Sequence, residues 1–106
     1  TIGITIGTSN CEDGGNIVKA SADQEAFTRI NYANLSRDAA AGQGEYLAAF
    51  ATLLGCEDAV KPQLFSALQQ NHRQIFAPEA SSSEALQNAR QLARTTPDIA
   101  NACSRI

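Results

Sequence analysis

One stretch limits the folds open to this chain more than any other: Gly42 to Gly55, reading G-Q-G-E-Y-L-A-A-F-A-T-L-L-G. It has the composition of a short apolar helix with glycines at both ends. Tyr46, Leu47, Phe50, Leu53 and Leu54 recur at i, i+1, i+4, i+7 and i+8, one face at the 3.6-residue period. Gly55 suits a left-handed cap, where a Cβ is penalised. Gly42 and Gly44 interrupt the preceding helical pattern and let the chain turn. A helix this apolar needs cover on most sides. The sequence therefore predicts a central helix with other helices packed round it.

The remaining elements follow from periodicity and caps. Ile2, Ile4 and Ile6 alternate with Gly3 and Thr5, a period of two that predicts a strand. Thr8 to Asn16 has loop composition, and Ile17-Val18-Lys19 is a candidate return strand. Ser21 with Gln24 has capping-box spacing. It predicts a first helix running to about Ala41, with Phe27, Ile30, Tyr32 and Leu35 burying part of its surface. Glu57 or Asp58 caps a third helix, with Pro62 in its first turn. Its stripe is Lys61, Leu64, Phe65, Leu68, His72, Ile75 and Phe76. Ser81 to Glu84 is a second capping box, and it opens a fourth helix that buries Leu86, Ala89, Leu92 and Ala93. Thr96-Pro97-Asp98 starts a final turn. The predicted fold is mainly α: a small bundle of four helices plus a short C-terminal turn, with an N-terminal β-strand or short β-hairpin. It forms one domain over 1–106, with 1–19 as the strand segment and 21–103 as the bundle.

Composition narrows the function. With 43% hydrophobic and 18% charged residues, the chain is built to fold rather than to stay disordered. The formal net charge is −3, and the basic residues are scattered, so there is no dense patch for nucleic acid or an anionic membrane. No apolar run reaches the roughly 18 residues of a membrane span. The chain begins at Thr1 and contains no Met, which we read as removal of an export signal, with trimming by proteolysis as the alternative. Export favours disulfides. Cys56 ends the central helix, and Cys103 lies in a tail with few apolar anchors, so the predicted bond is Cys56–Cys103. Cys11 is then the odd thiol.

No constellation specifies a chemistry. His72 is the lone histidine, and its spacing puts it on an apolar stripe, as a boundary residue rather than a general base. A Cys56–His72 nucleophile pair is conceivable, but a cysteine of an exported protein belongs more naturally in a disulfide. Glu45 after Gly42-x-Gly44 is a helix-start carboxylate, since the full phosphate-binding glycine pattern is missing. The adjacent pairs Glu12/Asp13 and Glu57/Asp58 do not face each other. Asn34-Leu35-Ser36 fits a glycosylation pattern but falls within a predicted helix. Asn31 and Asn34 are candidates to hydrogen-bond a partner or the backbone. Catalytic residues, cofactor sites and metal sites are all expected to be absent.

Three segments, T-I-G-T-S-N-C at Thr5 to Cys11, G-Q-G-E at Gly42 to Glu45 and L-Q-Q-N-H-R-Q-I-F at Leu68 to Phe76, together resemble the bacterial domain-of-unknown-function family numbered 3015. The resemblance implies a small exported protein of Gram-negative bacteria, periplasmic or extracellular, whose signal peptide is removed. It brings no catalytic residues. The tail carrying Cys103 is not a general feature of that family. Three functions then compete. The first is a non-catalytic module that binds another envelope or extracellular protein. The second is a structural subunit that self-assembles by strand addition through Ile2, Ile4 and Ile6. The third is a small-ligand carrier or enzyme, which needs a pocket between helices.

Overall fold

The computed structural model describes residues 12–106. Seven α-helices follow one another there: α1 (Glu12–Ile30), α2 (Tyr32–Ala41), α3 (Glu45–Leu53), α4 (Lys61–Gln70), α5 (His72–Ile75), α6 (Ser82–Thr95) and α7 (Pro97–Ala102). A 3-10 turn at Asp58–Val60 leads into α4. The expected strand at Ile2, Ile4 and Ile6 lies outside the described residues. Its expected partner, Ile17–Lys19, is not a strand but part of α1, as are Glu12 to Asn16 from the expected loop. β-branched Ile17 and Val18 favour a strand locally. A two-stranded sheet alone is marginal, however, whereas a helix pairs its backbone within itself.

Ser21 does not start a helix. It lies within α1, and the buried face of α1 there is polar: Gln24 and Thr28 are each 1% exposed. This is why the apolar periodicity of the first helix is weak. Ile30, expected to help bury that helix, is instead 73% exposed at the end of α1.

Two of the expected helices are each broken once, by the same device. At Asn31 and at Asn71 the backbone leaves helical geometry, with φ −111° and −108°. In each case the side-chain Nδ2 donates to the carbonyl four residues back, at Phe27 (3.2 Å) and at Ala67 (2.8 Å). Asparagine competes for backbone groups in this way, which is why it disfavours helix interiors. The first break separates α1 from α2, and the second separates α4 from α5.

α3 begins with a cap borrowed from the previous helix. Its N-cap position is Gly44, which has no side chain to offer. Asp38 Oδ2 instead accepts from the backbone N–H groups of Tyr46 (3.0 Å) and Leu47 (3.4 Å). Gly44 has φ 137°, and a Cβ there would collide with the Asp38 carboxylate. α3 ends in a Schellman motif, in which Gly55 N–H donates to Thr52 O and Cys56 N–H to Ala51 O. Gly55 has φ 75°, and a Cβ there would stand 2.5 Å from Ser104 Oγ.

The core forms where α2, α3, α4 and α6 meet. Leu35, Leu47, Phe50, Leu54, Leu64, Leu68 and Leu86 are all at most 1% exposed. Phe50 is the largest side chain among the fully buried residues, and Tyr46 and Leu53, on the edge of the expected face, are only half-buried. The Ser81 capping box forms as expected: Glu84 N–H donates to Ser81 Oγ (3.1 Å), and Ser81 N–H donates to Glu84 Oε1 (2.8 Å). α6 buries Ala85, Leu86, Ala89 and Ala93, with Leu92 half-buried, and Ile99 anchors α7.

Candidate functional site

The tail after α7 is tied into the bundle from several directions. Cys56 and Cys103 form a disulfide with S–S 1.93 Å across 47 residues of chain. The two cysteines face each other in an isolated antiparallel bridge. Glu57 N–H donates to Ala102 O, Ser104 N–H to Gly55 O and Arg105 N–H to Leu54 O. Gln24 then clips α1 to the junction. Its Nε2 donates to Leu53 O (2.9 Å) and to Arg105 O (2.8 Å), while its buried Oε1 has no partner among the described residues. On the far side Arg90 donates to the backbone oxygen of Ile106 and to Ser21 Oγ, and Arg94 also donates to Ile106 O. Burial and the neighbouring Arg94 lower the Arg90 pKa from its ordinary value, against the opposing effect of Glu25.

His72 sits at the junction of α2 and α5. Its Nε2 lies 3.0 Å from both the carbonyl oxygen and the Oγ of Ser36. A carbonyl can only accept, so the bond to Ser36 O assigns the proton to Nε2. That nitrogen is therefore not a base for the Ser36 hydroxyl. The ring stacks on Phe76 (centroids 5.2 Å apart, planes 30° apart), and Phe76 in turn meets Tyr32 (5.8 Å). Burial raises the Tyr32 phenol above its ordinary value. Cys56 is in the disulfide, so no Cys56–His72 thiolate pair exists in this structure. Among the described residues no group of three or more His, Cys, Asp or Glu side chains could hold a metal ion, and no helix is long and apolar enough to cross a membrane.

The remaining sequence candidates are accounted for locally. Glu45 is exposed at the start of α3, with the capping done by Asp38. Asp58 pairs with Lys61 (2.9 Å), whose ammonium holds the carboxyl below its ordinary value. Asn34 Oδ1 accepts from Arg37 (3.0 Å), and Asn31 is the helix breaker described above.

One surface feature has no counterpart among the sequence candidates. A groove of about 270 Å³ runs between α5 and α6, lined by Asn71, Gln74, Asn88, Gln91 and Thr95 over a floor of Ile75 and Leu92. Two further depressions, of about 400 and 410 Å³, adjoin it and share Gln74. One adds Gln87, Glu79 and Glu84, and the other adds Gln69, Gln70, His72 and Arg73. Side-chain amides therefore dominate one face of the molecule, with carboxylates at one end and a guanidinium at the other. The signal was present as Gln69-Gln70-Asn71, Gln74, Gln87-Asn88 and Gln91. These residues come from separate helices, and only the fold brings them together.

A mainly helical bundle, stapled by one disulfide and carrying an amide-rich face, is the class of protein that this architecture defines. The chain belongs to the family described as "Protein of unknown function (DUF3015)", whose match covers residues 1–103. No curated protein matches the chain, and no solved structure does.

Proposed function

We propose that this protein is a non-catalytic, exported bacterial protein that binds another protein in the periplasm or extracellular space of the Gram-negative envelope. The observation that carries this reading is the α5–α6 groove, where exposed amides with unused hydrogen-bonding capacity line a shallow, open surface. A surface of that kind suits a partner's polar rim or backbone better than an enclosed small molecule. The Cys56–Cys103 disulfide supports export, because such bonds persist in oxidising compartments. The test is a photo-cross-linking residue placed at Gln91 in the native cell, with Ala49 on the exposed side of α3 as control. The expected result is a discrete adduct with a second protein from Gln91 and none from Ala49. Equal labelling from both positions, or none from Gln91, contradicts the reading.

Self-assembly through the first strand is a second reading, and one feature favours it. Thr1 to Gly7 alternates Ile with Gly or Thr and contains no Lys, Glu or Pro to discourage edge pairing. Replacing Ile4 with Lys should then reduce the assembled mass in light scattering. A protein that is already monomeric at high concentration removes this reading.

A further inference from the structure

We propose that the α5–α6 groove takes an extended, uncharged peptide segment of a partner protein and reads it through its main chain. This rests on the protein-binding reading above and adds the chemistry of recognition. Gln91 and Thr95 stand on α6 at i and i+4 in the groove, Gln74 faces them from α5, and Gln87 lies one turn before Gln91 in the adjoining depression. Each four-residue step along a helix rises about 6 Å. An extended peptide repeats every two residues, about 6.6–6.8 Å. The two repeats stay within reach of a flexible glutamine over the length of the groove.

A side-chain amide is the same functional group as a peptide bond, so one amide can donate to a backbone C=O and accept from a backbone N–H. The amides of Gln74, Gln87 and Gln91 are exposed and make no hydrogen bond among the described residues. Asn88 is held from below, with its Nδ2 3.4 Å from the carbonyls of Gln74 and Ile75, which leaves its Oδ1 to accept. The central depression has no ionisable lining residue, so a charged segment gains nothing there. Its floor is Ile75, which is buried, and Leu92, which is half-buried, with no deep apolar hole to anchor a large side chain. No aromatic ring lines that depression either, which disfavours a sugar ring that would stack. Recognition therefore falls on the main chain and tolerates many sequences.

The test titrates the intact protein, observed by NMR at its side-chain NH2 groups, with a blocked octapeptide of alternating threonine and serine. A second octapeptide has the same sequence with alternate backbone nitrogens methylated, and a third ligand is cellotetraose. The expected result is saturable movement of the Gln74, Asn88 and Gln91 signals with the first peptide. Binding should weaken about fivefold or more with the methylated peptide and in a Gln74→Ala/Gln91→Ala variant, since each change removes several hydrogen bonds. Both substituted positions are exposed, and circular dichroism checks that the variant keeps its helices. The proposal is overturned by no movement with the first peptide, by a smaller loss in either comparison, or by movement with cellotetraose alone. A Gln91 cross-link to a cellular protein combined with failure of the peptide titration would remove main-chain recognition and leave the protein-binding reading standing.

Discussion

Gln24 shows how a single polar side chain can organise a small core. It is buried on α1 and joins the end of α3 to the tail through two carbonyls. Replacing it with Leu leaves Leu53 O and Arg105 O short of a donor, and the relief of its orphaned Oε1 offsets only one of the two losses. Gln24→Leu should cost about 1–3 kcal/mol in chemical denaturation. Gln24→Glu should cost more, because it removes the donors and buries a charge. Gly44 is a second such position, constrained by φ 137° and by the Asp38 carboxylate beside it. Gly44→Ala should destabilise by more than about 1 kcal/mol, measured by thermal unfolding. His72→Ala should lose about 0.5–1.5 kcal/mol for the Ser36 bond and leave partner binding intact. The sequence marks Gln24 only as a capping-box partner of Ser21, a role it does not have inside α1, and it does not mark Asp38 at all. Periodicity identifies apolar faces, and both act by hydrogen bonds to backbone far along the chain.

Elements were legible where a cap and an apolar stripe agreed. The Ser81–Glu84 box and the α6 face of Leu86, Ala89 and Ala93 formed where they were expected. The α3 helix formed too, ending at Gly55 in the cap that a glycine there implies. Phe50→Ala should therefore be among the costliest substitutions, about 3–5 kcal/mol by thermal unfolding. A change within about 0.5 kcal/mol, the range of ordinary surface substitutions, would contradict its place in the core. Where the apolar stripe ran past an asparagine, the sequence reading joined two helices into one. Leu68 and Ile75 lie on one stripe, yet Asn71 between them turns its amide onto Ala67 O and ends α4. The Ile17–Lys19 segment failed for a different reason. β propensity is a local preference, and in this chain the helical backbone of α1 overrides it.

At the scale of the whole molecule, the tail is the closing element. The disulfide, the short bridge around it, Gln24 and the Arg90–Arg94 pair join α1 and the C-terminal tail to α3 and α6. In the chain-entropy picture, a bond spanning 47 residues contributes roughly 4 kcal/mol by restricting the unfolded state. This is a large share of the 5–15 kcal/mol (roughly) that holds a domain folded. The amide face depends on α5 and α6 keeping their positions, and α6 carries the two arginines that grip Ile106. The groove could not be read from the sequence, because its walls come from helices that only this packing sets side by side. A bundle closed by Cys56–Cys103 depends on that bond being formed in the cell. Non-reducing peptide mapping of the protein, isolated from its native cell with thiols blocked at lysis, tests it most directly. The expected result is a Cys56–Cys103 linked peptide, with Cys11 outside that bond. Free thiols at Cys56 and Cys103, or a Cys11–Cys56 or Cys11–Cys103 peptide, would contradict it.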